Sequence, residues 1–492
     1  MNRFEPVTKW QRATIMLLAV VMCGFWLVAM VHDMSFFFVA AGSSVLFLSL
    51  FPILCLREYD WFCPWSALIL AIIYGCTLPS VCMSFGLPSH EFVAENILLN
   101  EPVEYFIWPA ALIMTFVFCM GIGYFGFPAK EIPIRVNRIC HPQRLLFICA
   151  VCGLLSFAAF AAYFLVNGGL SAGLSSKRGT IRTLDVGADE GFSQHGWLRH
   201  FAKLGNIALL MLAAYWSRLK APTFSVANVM RWSVLIGLIL VSIAFPFYSS
   251  SRAGMVWVII CFVGCLYYMH QRIFTFNTLI IAGLMLFLLV FVTLVRNSGA
   301  ESNDSMAKRF GHLLLNRHGP DIAVTSHVIR NIPDKLEYQY GKTIAVWLLA
   351  PIPREFMPNK PLIHSGPIIG QQIYKLNVSG VPPGTAAELY WNFHVAGIVF
   401  GSMLLGVLMR LSYQLCRNVH MDSVLLIPIY IFAVFPCAFK AATHSFGPAF
   451  VMPMVDLVTV CMVVYAVSVA APAYVPSGNS VPLPAMQRPV TN

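Results

Sequence analysis

The sequence predicts an all-α, polytopic membrane protein of about twelve spanning helices, with two long loops on one side of the bilayer. Three observations predict it. Hydrophobic residues make up 58% of the 492-residue chain and charged residues only 11%, against about a quarter charged in a soluble domain. The apolar residues fall into runs of about 20, the length a helix needs to cross the hydrocarbon core. Lys and Arg gather in alternate short connections, which is how a multi-span protein marks its cytoplasmic side.

The first five runs are Ala13 to His32, Met34 to Leu56, Phe62 to Phe85, Tyr105 to Gly126 and Leu145 to Val166, none of them interrupted by Lys, Arg, Asp or Glu. No cleavage signal follows the first, which is therefore read as a retained helix. Next come Phe201 to Trp216, Met230 to Tyr248, Ala253 to His270 and Phe274 to Val295. The last three are Leu389 to Tyr413, Ser423 to Phe439 and Val451 to Ala471. The sixth and eleventh runs are the shortest. Residues 1–471 thus form one transmembrane domain with long loops at 167–200 and 296–388, and residues 472–492, rich in Pro, Ser and Gly, form a disordered cytoplasmic tail.

With Arg3, Lys9 and Arg12 in the cytoplasm, Arg57, the cluster Lys130 to Arg144, Arg218, Lys220, Arg272, Arg410 and Arg417 also fall inside. The outside connection before Tyr105 carries Glu91, Glu95, Glu101 and Glu104 and no Lys or Arg. Among the short loops only Arg252 and Lys440 break the alternation. The net charge of +11 therefore reports orientation, and no nucleic-acid partner is expected. No Gly-rich phosphate loop or Cys/His metal spacing occurs, so neither metal nor cofactor is called for. The 14 cysteines lie mostly in apolar runs and none is in a long loop, which makes them small buried hydrophobes with no disulfide framework.

The polar stretch from Arg296 to Glu388 carries the chemistry. At about 90 residues it far exceeds an ordinary connection, and it holds apolar patches that argue against disorder. Within it, Ile322 to Ile332 has helical periodicity, with Val324, Val328, Ile329 and Ile332 on one face and Arg330 off it. His318 and His327 lie in the same region. Thr343 to Pro351 is apolar but too short to span, which suggests a re-entrant or interfacial segment. Arg354 and Lys360 follow at once, framed by Pro351, Pro353, Pro358 and Pro361. Stiff backbone thus holds two cations beside an apolar patch, as a polyprenyl pyrophosphate requires; snorkelling cations on an interfacial loop are the plainer alternative. Arg252, in a tight Ser-Ser-Ser-Arg turn, either anchors the helix at the interface or binds a lipid phosphate. Glu388 and Asn392 sit four apart at the start of a span and share a face. Glu388 either complements the helix dipole or accepts a proton from a sugar hydroxyl. Asp456 is an intramembrane acid for which interfacial exposure suffices.

The order YGKTIAVWLLAPIPREFMPNKPL, a Gly/Pro turn, then ELYWNFHVAG, together with SSSRAG upstream, resembles the Wzy-type O-antigen or oligosaccharide-repeat-unit polymerases over about a third of the chain. Arg330 and Gly341 fit an Arg-x(10)-Gly pattern of that wider family, whereas Arg178 and Arg182 of the first long loop do not. The family's usual Gly after Asn-Phe is His394 here. The resemblance implies a multi-pass inner-membrane enzyme with both termini cytoplasmic, periplasmic long loops and a glycosyltransferase-C-like architecture. It implies polymerisation of undecaprenyl-pyrophosphate-linked repeat units into O-antigen or exopolysaccharide, with a chain-length regulator and a flippase as partners beside the lipid bilayer. Arg252, Arg330, Arg354, Lys360 and Asn392 would then contact the lipid-linked substrate, and Glu388, His318 or His327 would act as base. An O-antigen ligase is the nearest alternative, and a polysaccharide transporter a more distant one.

Overall fold

The computed structural model describes residues 5–29, 34–85, 101–128, 138–166, 196–216, 226–248, 252–270, 322–349, 357, 361, 365–375, 381–417, 425–443 and 446–470. Seven helical stretches among them are long and apolar enough to cross a membrane: Lys9–Ala29, Met34–Cys55, Pro64–Ser84, Glu104–Gly126, Pro142–Val166, Val229–Pro246 and Gly384–Leu415. Shorter apolar helices at His200–Tyr215, Val258–Tyr268, Leu426–Ala441 and Pro453–Val467 coincide with four further runs read from the sequence. The run Phe274 to Val295, most of the first long loop, residues 296–321 and shorter pieces of the second, and the tail lie outside the described residues.

In chain order the helices are α1 (Lys9–Ala29), α2 (Met34–Cys55), α3 (Pro64–Ile72), α4 (Leu78–Ser84), α5 (Glu104–Gly126), α6 (Pro142–Val166), α7 (Gly196–Ala202), α8 (Leu204–Trp216), α9 (Val226–Tyr248) and α10 (Arg252–His270). After the gap come α11 (Ile322–Arg330), α12 (Lys342–Ala345), α13 (Ser365–Gln372), α14 (Gly384–Ala396), α15 (Ser402–Arg417), α16 (Leu426–Ile429), α17 (Phe435–Thr443) and α18 (Phe446–Val467). Turns of π-helix at Ile73–Thr77, Gly397–Gly401 and Tyr430–Val434 join α3 to α4, α14 to α15 and α16 to α17. The helices that follow the long loops start earlier than the apolar runs suggest. The first loop ends at Gly196, where α7 begins, and the second at Gly384, where φ is +76° after two prolines. Polar residues in a first helical turn do not count toward an apolar run, so hydropathy places such starts late.

The tightest helix pair is α5 with α15. A Cβ on Gly123 would lie 2.1 Å from the Met403 carbonyl oxygen, and one on Gly406 would lie 2.1 Å from that of Met120. Only glycine permits backbones this close, which is how helices gain contact when lipid offers no hydrophobic drive. Around this pair, α2 packs on α5, α3 on α17, and α6 on α8 and α9. Two short antiparallel ribbons tie distant segments: Glu5–Pro6 with Glu58–Tyr59, and Arg138–Cys140 with Ser468–Ala470.

The packing separates two ends. At one, Asp60 Oδ2 accepts hydrogen bonds from Tyr268 at 2.9 Å and Tyr413 at 2.5 Å, while Tyr430 donates to the Phe62 carbonyl at 2.7 Å. At the other, α11 lies against the start of α5 and against α14, α14 packs on α17, and the 3-10 turn Val346–Leu349 reaches α18. The elements of the second long loop therefore cap the end where α5 and α14 begin.

Candidate functional site

Helix α11 is buried on every side from Ile322 to Ile329, beyond the face of Val324, Val328 and Ile329 that its periodicity predicts, and this packing buries His327 at 3% exposure. The imidazole bridges two chain segments. Nδ1 lies 2.9 Å from the Tyr374 hydroxyl and Nε2 lies 3.3 Å from Glu101 Oε1. A carboxylate only accepts, so Nε2 carries the proton toward Glu101 and Nδ1 accepts from the tyrosine. Glu101 Oε2 is buried without a hydrogen-bond partner among the described residues. Phe106 stacks on the ring at 6.3 Å, and Asn331 Nδ2 donates to the His327 carbonyl at 2.7 Å. Burial pushes the imidazole below its ordinary range, against the pull of the Glu101 carboxylate and with the help of Lys335 and Arg330. His327 is thus a neutral base beside a fixed acid.

Arg330 ends the same helix. Its guanidinium lies 4.7 Å from the Tyr105 ring centroid and 3.5 Å from Asp334 Oδ2, with 37% of the side chain exposed. It keeps a solvent-facing cation next to the buried His327 and Tyr374.

Asn392 closes the next layer. Its Oδ1 accepts from Gly341 N at 2.8 Å, and its Nδ2 donates to Thr343 Oγ1 at 2.6 Å and to the Glu388 carbonyl at 2.8 Å. Gly341 has φ +86°, a conformation glycine adopts without strain. Trp391 supports the same turn: Nε1 donates to the Glu337 carbonyl at 2.8 Å, and its own carbonyl accepts from Gln339 N at 3.0 Å. Asn392 therefore positions the turn after Arg330. Glu388, in the second turn of α14, has 0% exposure and does not stand at an open helix terminus. Two residues past Asn392, His394 adopts φ +58° and ψ −150°, a region nearly reserved for glycine, with its ring between Tyr338 and Tyr390.

Four of the residues singled out from the sequence, His327, Arg330, Glu388 and Asn392, come together at this end. Arg252 is the first residue of α10. His318, Arg354 and Lys360 lie outside the described residues. Sequence reasoning missed Glu101, Tyr374 and Thr343. Glu101 was legible only as one acid among four in a loop, and nothing near Tyr374 in sequence marks it. Asp456 differs from expectation as well. It is 7% exposed, and Lys203 Nζ donates to its two oxygens at 2.8 and 3.1 Å. No family model matches the chain, and neither a curated protein nor a solved structure matches it.

Proposed function

We propose that this protein is a membrane glycosyltransferase that polymerises polyprenyl-pyrophosphate-linked oligosaccharide repeat units on the outer face of the bacterial inner membrane, in the manner of the Wzy-type enzymes that about a third of the chain resembles. One observation carries the reading: a neutral buried histidine, held by a carboxylate, at the end of an apolar bundle capped by a long basic loop. A lipid-linked glycan presents its diphosphate at such an end, with the prenyl chain in the bilayer and the sugar outside.

In the reaction, an acceptor sugar hydroxyl attacks the anomeric carbon of the donor. The new glycosidic C–O bond forms as the bond to the diphosphate oxygen breaks. The Tyr374 hydroxyl passes its proton to His327 Nδ1 as it takes the proton of the sugar hydroxyl, and the diphosphate leaves as an anion. Glu101 offsets the positive charge that the imidazole gains. Arg330, with Arg252, Arg354 and Lys360, supplies cations to the diphosphate, Arg as a fork and Lys as a point charge. Asn392 sets the turn behind Arg330, and Glu388 lies beneath it as the alternative base. A chain-length regulator and a flippase are the protein partners such a step implies.

The test is genetic and then chemical. A deletion strain should carry single repeat units on its surface lipid, because ligation persists without polymerisation. Surface lipid bare of repeat units, with long chains on the carrier, would make the protein a ligase and overturn the reading. In the complemented strain, His327→Gln should lower polymer about 10²–10⁴-fold at normal protein level.

A further inference from the structure

The ion pair of Lys203 with Asp456 has a third member. Lys440 lies on α17, which packs directly on α18, the helix that carries Asp456, and Lys203, Asp456, Cys437 and Cys261 are its electrostatic neighbours. These sit at the start of α8, on α18, on α17 itself and on α10, and Cys261 is 2% exposed. Lys440 therefore faces the junction of several helices. A lysine that merely snorkels to water has no such surroundings. Its ammonium makes no hydrogen bond or close ion pair with any described residue, whereas Asp456 gives both oxygens to Lys203.

Charge bookkeeping makes the cluster unusual. Among the described residues two ammonium groups share one carboxylate, which leaves one positive charge in an apolar bundle. An unbalanced charge there is costly and marks a functional position by default. The polar groups around it are not saturated either. Asn206 Oδ1, one turn along α8 from Lys203, is buried without a hydrogen-bond partner among the described residues. It borders a cavity of about 10 Å³ that Cys261 also lines, room for about one water. Lys203 keeps 33% of its side chain exposed, so the cluster is reachable from outside. Its place in the fold is also informative: α17 packs against α14, which carries Glu388, and α18 touches both α14 and the turn Val346–Leu349.

We infer that Lys440 and Lys203 form a seat for a phosphate anion at this end of the bundle, where Asp456 competes with it for Lys203. The phosphate supplies the missing negative charge, and two lysines bind it as point charges. Either the diphosphate headgroup of a polyprenyl lipid or a free diphosphate has this chemistry. The identity of the lipid rests on the polymerase reading, whereas the anion seat does not.

The test uses the full chain in nanodiscs and reads binding, not polymer. Wild type should bind a polyprenyl diphosphate and ignore the neutral polyprenol. Lys440→Met should weaken binding about tenfold or more, as loss of a charged hydrogen-bond donor does. Lys440→Arg should retain most of it, and Asp456→Asn, which removes the competing anion, should tighten it. Competition by inorganic diphosphate alone would assign the seat to a free anion, and binding only of the lipid form would assign it to the headgroup. Wild-type affinity in Lys440→Met, or equal binding of polyprenol, would overturn the seat. A strain lacking the protein that still polymerises normally would overturn the polymerase reading and leave the seat standing.

Discussion

At the scale of single residues, His327 makes the sharpest forecast. Its folded-state pKa is lowered by burial, while an unfolded histidine titrates near about 6.5. Above that value both states are neutral and the group contributes nothing to pH dependence. Below it the unfolded chain takes up a proton that the folded chain resists, so stability falls as pH drops. Thermal unfolding in detergent should show this acid loss in wild type and a flatter profile in His327→Gln. Glu101→Gln removes the charge that favours the imidazolium, so the acid loss should begin as before and continue to lower pH. An unchanged profile in both variants would refute the electrostatic contact. What the sequence shows at this scale is uneven. Asn392 and Glu388 stand four apart in a polar helix start and can be read directly. His394 can be read only as a departure from an expected glycine, and its left-handed φ gives that departure a physical meaning. Tyr374 cannot be read, because nothing in its own neighbourhood marks it as a partner of His327, 47 residues away.

Among elements, the helices were the legible part, since a run of about 20 apolar residues is a local property. The short helix α11 was legible as a helix from its apolar spacing, but not the burial of its polar face, Thr325, Ser326 and His327, which neighbouring elements cover. Helix starts and the three π-turns were not, since both depend on neighbours the run does not contain. The α5–α15 contact shows how strongly neighbours decide. Gly123 and Gly406 look like any glycine in an apolar run, yet each lets one backbone touch the other. Gly406→Val should force α5 and α15 apart and lower the detergent melting temperature. A cost of about 1–3 kcal/mol is typical of such overpacking. Gly24→Val, where a Cβ meets nothing within 4 Å, should leave it nearly unchanged. Equal effects at the two positions would contradict close packing as the role of Gly406.

For the whole molecule, orientation remains the decisive forecast. The alternation of basic residues predicts that both long loops lie outside, and the structure gathers elements of the second loop at one end of the bundle. A reporter fused at Asn377 should be active as a periplasmic enzyme and silent as a cytoplasmic one. The reverse would place the His327 end in the cytoplasm, away from any flipped repeat unit. Long-range pairing is where the sequence fell silent. Glu101 meets His327 across 226 residues and Lys203 meets Asp456 across 253, and no spacing encodes either. The ribbon of Arg138–Cys140 with Ser468–Ala470 extends that point into time. Ribosomes add roughly 5–20 residues per second, so a strand waiting about 330 residues for its partner waits on the order of half a minute. Arg138–Cys140 must therefore wait without this partner strand, within reach of insertases and quality-control proteases, until the last span arrives and closes the ribbon.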